Sequence, residues 1–109
     1  MFRYKTILSL AILTLTYCVG ASQNTYVPDD NFERALVEKG LDTAPLDNYV
    51  PTANISGYLD LDIRGRNISD LTGIEDFAAL TILNCDDNNL TSLNISQNTN
   101  LTQLFCRDN

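Results

Sequence analysis

The sequence predicts an α/β solenoid, in which short parallel strands recur at a fixed interval behind an N-terminal helical cap. Three observations predict it. The segment LTILNCDDNNLTSLNISQNTN (Leu80–Asn100) is followed by LTQLFCRDN (Leu101–Asn109), which superposes Leu80 on Leu101, Leu83 on Leu104, Cys85 on Cys106 and Asn88 on Asn109 at a period of 21 residues. The register continues backward, with Tyr58, Leu61 and Ile63 in the Leu80, Leu83 and Cys85 columns and Ile68 and Leu71 matching Leu90 and Leu93; that repeat, Tyr58–Ala79, holds 22 residues. Upstream, PDDNFERALVEKG (Pro28–Gly40) carries helix punctuation at both ends.

The pattern L-x-x-L-x-(L/C)-x-x-N at this period is the signature of a leucine-rich repeat. The chain then divides into a signal segment (1–21), a cap (22–57) and repeats at 58–79, 80–100 and 101–109, the last incomplete. Each rung is expected to hold a parallel strand, at Asp60–Arg64, Ile82–Asp86 and Gln103–Arg107, with Leu and Cys/Ile inward and the alternate residues on the concave side. Those alternate residues form three columns: Asp60/Ile82/Gln103, Asp62/Asn84/Phe105 and Arg64/Asp86/Arg107. The third alternates in sign, so attraction across strands is expected along it. Ile82 and Phe105 are apolar at outward positions and are the best contact candidates. Asn88 and Asn109 follow the strand, where their amides can satisfy backbone groups that the bending chain strips from the ladder. Arg66 replaces the Asn in the first rung.

In the cap, Asp30 is the expected N-cap with Glu33 three residues on, and Gly40 suits the C-terminal position. Phe32, Ala35, Leu36 and Val37 give one apolar face, which must lie on the first rung because a helix of about ten residues is marginal alone. Ser22–Val27 reads as a polar lead-in. Pro45, Pro51 and Gly57 break the next stretch, where Leu46, Tyr49, Val50 and Ile55 suit one further helical turn. Asp42 and Asp47 lack a regular calcium loop and read as solvated acids.

The opening MFRYKTILSLAILTLTYCVGAS has a positive start at Arg3 and Lys5, an apolar run over Ile7–Tyr17 and a small-residue cleavage site at Val19-Gly20-Ala21. It reads as a secretory signal, too short to span a bilayer. A lipoprotein anchor at Cys18 ranks second, because Tyr17 is bulky where a lipobox wants a small residue. Cleavage after Ala21 leaves 88 residues with five basic and fourteen acidic side chains, a net charge of −9. That balance argues against nucleic acid and anionic membrane as partners. Cys85 and Cys106 share a core column, so stacked free thiols are favoured over a bridge.

No histidine occurs in the chain, which excludes Cys/His zinc sites and His-dependent triads. The acid pairs Asp29/Asp30, Glu75/Asp76 and Asp86/Asp87 are sequence neighbours and offer no cleft with divergent environments. No Gly-rich phosphate loop exists, and no cofactor is expected. Sequons at Asn54, Asn67, Asn89, Asn94 and Asn100 follow from the Asn-rich repeat pattern. Asp42-Thr43-Ala44 resembles a short O-glycosylation motif of Bacteroidetes secreted proteins.

YVPDDNFERAL (Tyr26–Leu36), NISDLTGIEDF (Asn67–Phe77) and LNCDDNNLTSLNIS (Leu83–Ser96) together resemble secreted leucine-rich repeat proteins of the Bacteroidetes type, relatives of the internalin-like repeats. The resemblance implies a secreted or surface-attached protein that binds proteins or glycans. The chain stops inside its third repeat, so it is expected to be the N-terminal portion of a longer protein. Its uncovered last rung is expected to self-associate. The leading expectation is a non-enzymatic interaction module binding a protein or glycan through its concave face; the alternative is a structural cap or spacer in a larger surface protein.

Overall fold

The computed structural model describes residues 23–109. The signal segment, its cleavage site and Cys18 lie outside them. A two-stranded antiparallel ribbon pairs β1 (Asn24–Tyr26) with β2 (Tyr49–Pro51), and a three-stranded parallel sheet runs β3 (Asp60–Asp62), β4 (Ile82–Asn84), β5 (Gln103–Phe105). Helix α1 (Asp30–Glu38) lies between the ribbon strands in sequence; the single turn α2 (Thr52–Ile55) follows β2, and a 3₁₀ turn (Ile74–Asp76) lies between β3 and β4.

The parallel register is the one the repeat dictates: Leu61 faces Leu83 and Leu83 faces Leu104. The strands are three residues each, shorter than the expected five. They end early because Asp62 and Asn84 turn the chain, each accepting the backbone N–H two residues on, at Arg64 and Asp86. The inward column is dry: Leu61, Ile63, Leu83 and Cys85 are fully buried, with Ile68, Phe77 and Leu80 behind them. Three strands make an open sheet, and among the described residues no further rung covers β5. Leu104 therefore keeps 37% of its surface in water, although its counterparts Leu61 and Leu83 keep none.

Asn88 behaves as its position predicts. Its amide donates to Ile63, Cys85 and Asp86 carbonyls at 2.9–3.2 Å, and its Oδ1 accepts from Arg66 and Ile68 N–H at 3.0 Å. Asn109 repeats the pattern one rung on, reaching Cys85, Cys106 and Arg107 carbonyls and the Leu90 N–H. The preceding column, Gly65/Asp87/Asp108, holds the turn itself, with φ of 66°, 55° and 55°. Glycine enters that left-handed region freely and aspartate with modest strain.

The cap departs from expectation in three places. Asp29, not Asp30, is the N-cap: its Oδ1 accepts the Asn31 and Phe32 N–H groups. Its Oδ2 accepts those of Ser69 and Asp70, so one carboxylate ties α1 to the first rung. Glu33 takes no part in a capping box. It is buried, and its two oxygens accept the N–H groups of Asp47 and Asn48 at 2.8 and 3.0 Å. Finally, the lead-in is strand β1, and Tyr49–Val50 lie on its partner β2 rather than on a helical turn. Pairing wins because Thr25 and Val50 face inward while Tyr26 and Tyr49 meet outside, their rings 5.5 Å apart and tilted by 49°. Leu46 is half-buried, outside any helix.

As expected, the apolar face of α1 packs on the repeats. Phe77 of the first rung stacks on Phe32 at 6.3 Å and meets Tyr58 edge-on at 6.4 Å. Thr25 Oγ1 donates to Asp76 Oδ2 at 2.7 Å, so the 2.8 Å contact with Thr52 Oγ1 has Thr52 as donor. Gly73, at φ 109°, lets the ribbon pass: a Cβ there would lie 2.8 Å from Val27 Cγ2 and 2.9 Å from the Tyr26 carbonyl oxygen.

Candidate functional site

The outward face of the parallel sheet carries six of the nine candidate residues, those of the first two columns. Register pairs Asp60 with Ile82 and Ile82 with Gln103, then Asp62 with Asn84 and Asn84 with Phe105. Asp60 and Gln103 are exposed, while Asp62, Ile82 and Asn84 are half-buried. Phe105 is 40% exposed. Ile82 and Phe105 stand diagonal to one another across β4 and β5, an apolar pair among polar neighbours.

The third column lies just beyond the strands, and its charges are arranged differently from the expected run. Arg64 does not reach across to Asp86; its guanidinium pairs with Asp62 of its own rung at 3.3 Å. Asp86 does pair across, accepting the Arg107 N–H at 2.6 Å with the guanidinium at 3.4 Å. Asp86 is 8% exposed, so it is a buried anchor for the next rung rather than an outward contact. Its backbone role accompanies this: the carboxylate accepts the main-chain N–H of the following rung. Arg66 leaves the Asn column and pairs with Glu38 of α1.

A second cluster was not foreseen. One oxygen each of Glu33, Asp42 and Asp47 lies within 4.8 Å of the others. Burial pushes the Glu33 carboxyl above the ordinary value of 4.5, the Asp47 and Asn48 N–H groups oppose that shift, and the Asp47 and Asp42 carboxyls add to it. These are the three side chains with the charge to hold a cation, yet both Glu33 oxygens already serve backbone N–H groups. Periodicity does not reveal the cluster because α1 and the loop after it meet only through tertiary packing.

Cys85 and Cys106 are free thiols. Burial first, then Cys106 and Asp86 nearby, push the Cys85 thiol up to about 11. Cys106, in the same column, is exposed, since among the described residues no further rung lies over it. Sequence reading also missed Asn98, 4% exposed, whose amide donates to the Ile74 and Phe77 carbonyls. The signal for it was present, since Asn98 stands 21 residues after Phe77. The sequon asparagines and Thr43 are all exposed.

No protein-family model matches the sequence. The chain is 40% identical over 78 residues to internalin J of Listeria monocytogenes serotype 4b (strain F2365), a match covering 72% of this chain and 8% of that protein. A solved structure of the functional domain of internalin J from Listeria monocytogenes, which includes a cysteine ladder, superposes with a TM-score of 0.68 at 35% identity, over 81% of this chain and 20% of that one. An internalin F structure from strain 4b F2365 superposes at 0.67 with 23% identity, over 76% and 24% of the two chains, a likeness of fold alone. The chain thus spans a small part of the relatives it matches. Over that part the chain is similar in sequence and in fold to leucine-rich repeat proteins of the internalin type.

Proposed function

We propose that this chain is an exported, non-enzymatic interaction module that binds a partner protein across the outward face of its parallel sheet. The observation that carries the reading is the diagonal of half-buried Ile82 and exposed Phe105 on the strand face, with Asp60, Gln103 and Asn84 as their polar register neighbours. Apolar anchors within a polar rim are the usual anatomy of a protein contact. A glycan would call for a flatter aromatic platform than one phenylalanine provides. Export and surface display rest on the signal-like opening and on the likeness to internalins. Grouping with Bacteroidetes proteins rests on the cap and repeat motifs, whereas the matched relatives come from Listeria.

The test is binding of the fluorescently labelled chain to intact cultured cells, before and after surface proteolysis or deglycosylation. Binding should vanish on proteolysis, survive deglycosylation, and fall at least about tenfold in an Ile82→Ser/Phe105→Ser variant, the loss expected of paired hot spots. Undiminished binding by that variant would move the site off this face, and loss on deglycosylation alone would make the ligand a glycan. Absence of binding in every case would favour the structural cap or spacer reading.

A further inference from the structure

A groove of about 370 Å³ opens between the return segments of the first two rungs, away from the strands. That volume is at the lower end of the range for ligand pockets, about 300–1,000 Å³. Leu71 and Ile74 from the first rung and Leu93 from the second form an apolar floor, and the rim is polar.

The rim's hydrogen bonds show which groups remain for a ligand. Asp70 Oδ1 accepts both the N–H and the Oγ1 of Thr72 at 2.8 and 2.7 Å. Asn94 Oδ1 likewise accepts the N–H and Oγ of Ser96 at 3.0 and 2.7 Å, and Glu75 Oε2 accepts the Gly73 N–H at 2.9 Å. Among the described residues, Asp70 Oδ2, Glu75 Oε1 and the Gln97 amide have no partner, and neither carboxylate is in an ion pair. No basic side chain lines the groove. The site therefore offers two uncompensated carboxylates and an amide above an aliphatic floor. Both carboxylates are exposed and hydrated; an anion would be repelled there and a cation attracted.

We propose that this groove seats an arginine side chain of a partner protein, with the aliphatic stem over Leu71, Ile74 and Leu93 and the guanidinium on Asp70 and Glu75. The match is one of shape and charge: an arginine stem covers apolar surface while its planar fork meets carboxylates. This subsite is separate from the sheet face, so its failure would leave the binding reading above untouched.

Titrating the ¹⁵N-labelled chain with N-acetyl-arginine methylamide at low salt tests the proposal by amide shifts. Saturable shifts confined to residues 70–75 and 92–97 are expected, weakened by added salt. Asp70→Asn and Glu75→Gln, which each keep the oxygen that caps the local backbone, should weaken binding about two- to five-fold, the range for exposed ion pairs. Unchanged shifts at Phe77 would show that the variants fold. Equal binding of the neutral isostere N-acetyl-citrulline methylamide would overturn the proposal. So would shifts elsewhere in the chain, or calcium shifting these amides where the arginine probe does not.

Discussion

Asp29, Asn88 and Gly73 each hold two parts of the chain together through backbone atoms. Asp29 receives four N–H groups, two from α1 and two from the first rung. Asp29→Ala should cost roughly 2–4 kcal/mol, more than an ordinary N-cap, because two further charged hydrogen bonds go with it. Gly73→Ala is expected to cost about 2–4 kcal/mol, read as a lower urea midpoint. A left-handed φ penalises any Cβ, and the Tyr26 carbonyl 2.9 Å away cannot yield as a side-chain tip would. Glu33 works in the opposite sense, because burial raises its pKa in the folded chain. Its stabilising contribution is full below the ordinary value of 4.5 and lost as pH rises through the raised folded value. Asp42→Asn removes one of the charges that raise it, so urea midpoints for this variant should fall less than wild type's over that window.

At the scale of an element, each rung is held by the same few bonds. Ile63, Cys85 and their neighbours donate to the following strand, as in Ile63 N–H to Asn84 O at 2.8 Å and Cys85 N–H to Phe105 O at 2.8 Å. Stability should therefore add up rung by rung through nearest-neighbour contacts. Phe77 is the joint between α1 and the repeats, and Phe77→Ala should cost about 3–5 kcal/mol, the usual range for a buried aromatic. The two thiols report on coverage of the column. Iodoacetamide at neutral pH should modify Cys106 in the folded chain and spare Cys85 until urea unfolds it, a difference that peptide mass mapping within residues 23–109 would show. Cys85 is doubly protected, by burial and by a thiol pushed up to about 11.

For the whole molecule, β5 presents a bare edge with Leu104 and Phe105 partly exposed beside it. By the repeat, the N–H groups of Cys106 and Asp108 stand where those of Cys85 and Asp87 find partners on the next strand. We propose that the 88-residue form, residues 22–109, self-associates in isolation through this edge, since unpaired strand groups over apolar side chains template pairing. Sedimentation velocity should then show a concentration-dependent increase in mass, and Leu104→Lys should abolish it. A monomer at all concentrations would remove the idea.

Periodicity alone determined the rungs, because burying one leucine column forces every strand into the same register and makes Leu61, Leu83 and Leu104 neighbours. The same spacing placed the two columns that lie on the strands and the asparagine turns, each a local consequence of the repeat. What lay outside the repeat was left to tertiary structure. The ribbon β1–β2 joins residues about 25 positions apart with no pattern to announce the pairing. Asp29 reads as an N-cap one residue from the expected one, and only the fold shows that its second oxygen serves the first rung. Asp86 reads as a surface charge and is buried, since strand alternation gives a side chain's direction but not what lies over it. Glu33, Asp42 and Asp47 meet because packing brings a helix against its own loop. Sequence spacing encodes contacts that recur, whereas contacts made once depend on where the folded chain happens to bring its segments together.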